Sequence, residues 1–187
     1  MEQPENMIVL GVDAARGGKD EVSFAPLYED GYFGELIIHQ GRDIGDGWKL
    51  TQWLMPFKEQ FPNLTVNIDK LGVGTSPFDI AKKYWANVVG IDVSAKSYLY
   101  EKTSTWKFFN KRSELHWKFR EALDPESGWN LAIPPDRELR RQALAAQWEL
   151  TPRGIKVELK AKIKEKLGNR SPDRWESVML AFNAAGS

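Results

Sequence analysis

The stretch "IVLGVDAARGGKDEVSF", residues 8–24, decides how the chain is read. An apolar run ends in Asp13, and a small, glycine-rich, basic loop follows. Such a loop can cradle a phosphate on its backbone N–H groups. Alternatively, Asp13 holds a metal ion and the glycines give a large ligand room to approach. The phosphate-loop pattern is G-x-x-x-x-G-K-[ST], whose hydroxyl binds Mg²⁺. Here the residue five before Gly18 is Asp13, and Lys19 is followed by Asp20. No other segment matches, so the weight falls on the carboxylate.

Two further acids stand in comparable places. Asp69 ends the apolar run of "TVNIDKLGVG", and Asp173 opens the final helical segment "SPDRWESVMLAF". A carboxylate at the end of a buried strand is costly unless it is paired, hydrogen-bonded or metal-bound. If the strands ending at Asp13 and Asp69 are parallel neighbours, both acids emerge at one edge of the sheet, where α/β proteins bind ligands. Gly17, Gly18, Gly72 and Gly74 clear space beside them. Asp173 and Glu176 are spaced i, i+3 and share a helix face. Three or four carboxylates from separate elements suit a hard cation, Mg²⁺ or Mn²⁺. Two such ions about 4 Å apart can drive phosphodiester hydrolysis.

Each acid also has a plainer reading. Asp13 can pair with Arg16 or Lys19, Asp69 can cap the turn after it, and Asp173 can answer the helix dipole. Only their combination favours a metal site. Asp20 reads as an outer neighbour of that site or a strand start, Asp79 and Glu114 as helix-surface charges, and Asp92 as lacking a catalytic partner. His39 and His116 have no metal-ligand spacing and read as structural. The eight Trp fit a core, with Trp106 and Trp175 the best candidates for base stacking because charges flank them.

The chain of 187 residues is long enough for one domain with a sizeable core. It has no Cys, which excludes disulfides and thiolate metal sites. No apolar run reaches the ~20 residues of a membrane span, and no secretory signal is evident. Net charge is zero, but its distribution is uneven: residues 1–46 hold ten acids against three bases, 102–120 six bases against one acid, and 153–174 eight bases against three acids. An acidic pocket beside an anion grip fits this pattern, and so do solvated helix faces.

Alternating and apolar runs predict strands at 7–15, 21–29 and 34–41, with "YEDGYFGE" as a hairpin connection. Residues 47–61 have helical spacing, broken or kinked at Pro56. Strands at 63–69 and 87–95 flank a helix opened by Thr75 or Ser76 and Pro77. Helices follow at 104–123 and 137–149, with an extended piece at 129–134. "GIKVELK" predicts a strand, "KAKIKEKLG" a helical turn closed by Gly168, and the last helix takes Ser171 as its cap and Pro172 in its first turn. A meander followed by βαβ units gives a mixed sheet with helices on its faces.

In order and spacing, these motifs resemble the nuclease domain of phage large terminase subunits. "GVDAARGGKD" is similar to the first motif of that family and "VNIDKLGVGTSPFDIAKK" to the second. "FFNKRSELHWKFREAL" and "IPPDRELRRQAL" resemble its central helix and the segment after it. "KVELKAKIKEKLGNRSPDRWESVMLAF" resembles its closing basic stretch and catalytic helix. The likeness runs from about residue 8 to 184. It implies an α/β, RNase H-like fold: a five-stranded mixed sheet, the first three strands an antiparallel meander and the others parallel, flanked by helices, with further C-terminal strand and helix elements. It also implies a metal-dependent endonuclease that cuts double-stranded, concatemeric viral DNA during packaging, with Asp13, Asp69 and Asp173 as catalytic metal ligands.

The last helix of that family often carries a second Asp three residues on, where Glu176 stands here. Mg²⁺ or Mn²⁺, two ions, is the expected cofactor. Arg16, Lys19, Lys107, Lys111, Arg112, Lys160, Lys162, Lys164, Arg170 and Arg174 are the expected contacts to the DNA backbone. The chain reads as one nuclease domain over residues 1–187, without the packaging ATPase. Its expected partners are that ATPase domain, the portal and the small terminase subunit, with no membrane, in the host cytoplasm. Two rivals stand beside this reading: a RuvC- or RNase H-like nuclease acting on branched or hybrid substrates, and a non-catalytic domain docking DNA or the portal. An ATPase of the actin or sugar-kinase kind needs further nucleotide motifs and a longer chain.

Overall fold

The computed structural model describes residues 6–14, 20–43, 47–70 and 77–183. Strands β1 (Met7–Asp13), β2 (Glu21–Tyr28), β3 (Ile37–Gln40), β4 (Thr65–Asp69) and β5 (Val88–Ile91) form one sheet in the order β3-β2-β1-β4-β5. The pairs β1–β2 and β2–β3 are antiparallel, while β1–β4 and β4–β5 are parallel. The fold is therefore the α/β, RNase H-like mixed sheet that the sequence predicts. The turn after β2 carries Asp30 and Gly31 at positive φ, 64° and 79°, which reverses the chain toward β3.

The central strands are covered on both faces, which is why they read as nearly continuous apolar runs. Side chains alternate across a strand. Leu10, Val12, Val66 and Ile68 face α1 (Gly47–Gln60) and α2 (Pro77–Tyr84), meeting Leu50, Leu54, Phe78 and Ala81 in one core. Val9, Ala25 and Leu27 take the opposite face, under α3 (Lys111–Ala122), α4 (Arg137–Ala145) and α6 (Asp173–Phe182). A separate antiparallel hairpin, β6 (Trp148–Thr151) and β7 (Gly154–Val157), leads into the short α5 (Lys160–Lys166). Gly168 closes α5 with φ 70°, as its sequence position suggests.

Several local expectations are corrected. Helix α1 runs through Pro56 without a break. Pro56 and Gln52, whose carbonyl loses its partner, are both exposed, so the freed group stays open to solvent and its loss costs little. Residues 104–110 are not helical. Glu101 captures the N–H groups of Thr103, Thr105 and Trp106, and α3 starts only after Asn110, whose side chain accepts from Ser113 N. The helix expected to 149 stops at Ala145, and residues 148–151 become β6. Ser171 does not cap the last helix: Pro172 occupies that position with no side-chain cap, while Ser171 is bonded to Asp20. Glu114 is no surface charge. It is buried, accepting from Ser97 Oγ at 2.7 Å and pairing with Lys111 at 2.6 Å.

Candidate active site

The site is built by the way α6 lies across the sheet. Gly11 in β1 touches α6 so closely that a Cβ there would overlap the backbone of Ser177 and Ala181. Two polar ties fix the helix in this position. Ser23 Oγ meets Ser177 Oγ at 2.8 Å, and Asn67 Nδ2 donates to Leu180 O at 2.8 Å. All of these groups are buried. By the strand alternation, Asp13 points to the same face as Gly11, and Asp69 to the same face as Asn67. Val12 is paired with Ile68 in the parallel register, so Asp13 and Asp69 end neighbouring strands side by side. Helix α6 begins at this edge and brings Asp173 and Glu176 to it.

The electrostatics are those of a crowded acidic pocket. Asp13, Asp173 and Glu176 are 6%, 4% and 5% exposed, so water screens them poorly. Burial raises the Asp13 carboxyl above its usual range, only partly offset by the nearby Lys160 ammonium. Asp173 is pushed up to about 7 by burial and by the charge of Asp13, against a hydrogen bond from Glu21 N at 2.8 Å. Glu176 goes the other way. Burial alone would raise it, but Arg112 and Lys160 outweigh that and hold it ionised. Its Oε1 lies 2.5 Å from Arg112 Nη2. Lys160 Nζ is 3.6 Å from Asp13 Oδ2. Burial favours loss of the Lys160 proton, yet Asp13, Glu176 and Asp173 together raise its affinity for that proton.

These residues fit a hard divalent cation by their chemistry. The donors are carboxylates from three elements, and Asp13 Oδ2 is buried with no hydrogen-bond partner among the described residues. Such an orphaned oxygen is a natural ligand atom. No three acidic or imidazole side chains among the described residues stand as a ready-made metal cage. The cations of the pocket here are Lys160 and Arg112.

The expected DNA contacts separate into groups. Lys107, Lys162 and Arg170 are exposed. Lys111 and Arg112 are engaged by Glu114 and Glu176, and Lys160 by Asp13. Lys164 holds Asp20 at 3.0 Å and lies 3.3 Å from Ser171 Oγ. Arg174 is a clamp, with its guanidinium bonded to both Glu21 and Asp136. Arg16 and Lys19 lie outside the described residues. Asp20 joins the α5–α6 turn to the start of β2, and Asp92 caps Ser94. His39 stacks on Trp53 at 4.1 Å. His116 Nδ1 accepts from Trp175 Nε1 at 3.1 Å. Both histidines are structural, as read, and Trp175 is buried, which removes it as a base-stacking candidate. Sequence reading missed Gly11, Ser23, Asn67 and Ser177. For the first three the signal is a small or polar residue at alternate positions of otherwise apolar strands; Ser177 lies in the last helix and carries no such signal.

No protein-family model matches the sequence, and a search of curated proteins finds no match. Solved structures do match. A variant of the large terminase subunit gp2 of bacteriophage Sf6, solved with calcium, is 15% identical, with 96% of this chain and 89% of that chain covered, at a TM-score of 0.72. The large terminase nuclease of the thermophilic phage G20c, solved with bound magnesium, is 16% identical, with 97% and 82% covered, at 0.62. The nuclease domain of the large terminase of Thermus phage P74-26 is 16% identical, with 96% and 80% covered, at 0.62. The chain thus has the fold of the phage large terminase nuclease domains, over nearly its whole length.

Proposed function

We propose that this domain is a divalent-metal-dependent endonuclease that hydrolyses phosphodiester bonds of double-stranded DNA, in the setting of phage genome packaging. One observation carries the reading. Two neighbouring parallel strands end in Asp13 and Asp69 on the face where α6 delivers Asp173 and Glu176. The similar solved structures, terminase nucleases with calcium or magnesium, support the same assignment.

Asp13, Asp69 and Asp173 would hold Mg²⁺ or Mn²⁺, with Glu176 as a fourth donor if Arg112 releases it. When bound, two such ions supply Lewis acidity that activates water and neutralises charge on the departing oxygen. The chain's own residues prepare the place. Burial and mutual repulsion leave Asp13 and Asp173 poorly satisfied, so they favour a cation. Lys160 shields the acids from one another and keeps a positive charge at the edge that a phosphodiester approaches. Lys107, Lys162 and Arg170 are exposed and free to meet backbone phosphates, which gives salt-sensitive affinity without sequence reading. Arg16 and Lys19 stay candidates for the same role beside the scissile bond. The ATPase domain, portal and small terminase subunit are the partners this reading implies, with one nuclease domain over residues 1–187.

The test is cleavage of supercoiled plasmid with Mn²⁺, with and without EDTA, by the native chain and by Asp13→Asn and Asp69→Asn. The reading expects metal-dependent nicking and linearisation, lost in both variants. Cutting that survives both substitutions removes the assignment. DNA binding without any cutting favours a docking domain instead.

A further inference from the structure

We propose that the loop "KSYLYEKTSTWK", residues 96–107, is a platform on which the bases of an unpaired DNA strand stack as it leads away from the cleavage edge along α3, an inference that rests on the DNA-cutting reading above. The loop leaves that edge and runs along α3, with Ser97 bonded to Glu114 and Lys102 N to Glu121. Arg112, which holds Glu176, donates its backbone N–H to Val93 O, and Lys111 donates to Ala95 O. From there the side chains sort into two sets. Ser97 and Glu101 are buried, while Leu99, 47% exposed, rims a cavity of about 1060 Å³ against α3. Tyr98 and Tyr100 turn outward, 75% and 41% exposed, and Trp106 on the returning arm is 45% exposed.

Large aromatic rings are not left in water on a floppy loop without cost, and this loop is not floppy. Glu101 N donates to Trp106 O at 3.1 Å and Tyr100 bridges to Lys107, so the arms pair. The buried Glu101 carboxylate accepts from Thr103 N, Thr103 Oγ1, Thr105 N and Trp106 N at 2.6–3.1 Å. Burial opposes its charge, but these donors prevail and hold it down to about 2. Ser104 sits in the left-handed region at φ 59° to close the turn. The rings are therefore presented in a fixed arrangement, and little entropy is lost when a ligand meets them.

The charges around the rings select the partner. Lys96 Nζ lies 5.0 Å from the Tyr98 ring and Lys107 Nζ 5.3 Å from the Tyr100 ring. Both lysines are exposed. A base against each ring and a phosphate against each ammonium is the pairing that single-stranded nucleic acid offers. Alternate residues of an extended chain stand ~6.5 Å apart, about twice the ~3.4 Å rise of a stacked strand. The rings thus suit bases of a strand that has left the duplex, and not the closed stack of paired DNA.

The experiment measures binding of a fluorescein-labelled oligothymidine, and of a duplex of equal length, to the whole chain in EDTA by fluorescence anisotropy. For Tyr98→Ala/Tyr100→Ala, oligothymidine affinity is expected to fall by about thirty-fold, the low end for two stacked bases, with duplex affinity changed by less than about three-fold. Phenylalanine at both positions should restore binding, because stacking needs the ring and not the hydroxyl. Lys96→Gln/Lys107→Gln should flatten the salt dependence by about two phosphate contacts. Unchanged oligothymidine affinity in the alanine pair overturns the proposal, and so does an equal loss for duplex. If that pair fails to fold, by circular dichroism, Tyr98→Ala alone carries the test. Plasmid cleavage separates the two readings. Binding that needs the tyrosines in a protein that does not cut removes the nuclease reading and keeps the platform, and cutting without such binding does the reverse.

Discussion

The two faces of the sheet both bury apolar residues, but only one of them also carries a directed polar seam. On the side of α1 and α2, Leu10, Val12, Val66 and Ile68 meet Leu50, Leu54 and Phe78 in an apolar layer. On the side of α6, the positions one residue along the same strands are Gly11, Asp13, Ser23, Asn67 and Asp69. The first face stabilises the fold through area removed from water, a force with no direction. The second also buries an apolar layer, with Val9, Ala25 and Leu27 under α3 and α6, but at these five positions it adds close contact and hydrogen bonds, which have direction. A helix that must deliver two carboxylates to two others needs that direction. The apolar face could repack with modest loss, whereas the α6 face has one seating.

The comparison breaks most sharply at Gly11. A single methyl group added there meets the backbone of Ser177 and Ala181, which cannot rotate away. Gly11→Ala is expected to cost about 3 kcal/mol or more, the upper range for overpacking. Leu10→Ala, one residue away on the other face, deletes three carbons and is expected to cost about 3 kcal/mol as well. The difference is in function. Urea unfolding should rank the two variants together, while metal-dependent cutting at a temperature where both are folded should fail only in Gly11→Ala, because α6 has moved.

His116 sharpens the same contrast through pH. Its ring is packed edge-on against Trp175 at 5.6 Å and accepts the indole N–H. Burial, with Arg112 nearby, lowers its pKa to about 4 from an ordinary 6.5. The unfolded chain therefore binds a proton at a higher pH than the folded one. Stability from this group is complete above about pH 6.5 and is lost as pH falls toward about 4, a loss of roughly 3 kcal/mol over the window. Thermal melts of the native chain and of His116→Gln across pH 4–7 should diverge by that amount, the native chain losing stability relative to the variant as pH falls, while the acids common to both cancel in the difference.

A smaller effect of opposite sign belongs to Asp173. It is buried beside Asp13 with its pKa raised, so in the metal-free chain its charge opposes folding. Asp173→Asn keeps an oxygen for Glu21 N and removes the repulsion. The variant is expected to be about 1–2 kcal/mol more stable at pH 8 without metal, and inactive. A destabilised variant would show that the acids are satisfied in ways beyond Lys160 and Arg112.

What was legible in the sequence follows the same division. Apolar periodicity revealed the strands and the α/β order, because burial on the α1 and α2 side leaves a pattern in every strand. Asp13 and Asp69 stood out as candidates because an acid at the end of an apolar run is costly and needs a reason, whereas Asp173, in the first turn of a helix, stood out only in combination with them. The pairing of Glu176 with Arg112 was not, since the two lie 64 residues apart and no local signal joins them. Neither was β6: its side chains are mostly exposed, so hydrogen bonds to β7, and not burial, make it a strand. Residues 104–110 read as helix because their own composition is permissive, and one buried carboxylate, Glu101, overrode it.

The finest test of the α6 seating lies in two hydroxyls. Ser23 and Ser177 are both fully buried and meet at 2.8 Å. Each hydroxyl has one proton to give. Ser177 Oγ donates to Arg174 O at 2.9 Å, so the proton between the serines must come from Ser23. Ser177→Ala then strands a buried donor on β2 and is expected to cost about 1–2 kcal/mol, whereas Ser23→Ala leaves Ser177 still donating to Arg174 O and should cost about 0.5–1 kcal/mol. The double variant removes both groups and should cost little more than Ser23→Ala, a coupling that a cycle of urea unfolding measurements can resolve. A larger cost for Ser23→Ala would show that the proton runs the other way, and no coupling in the cycle would show that α6 is held here by shape alone.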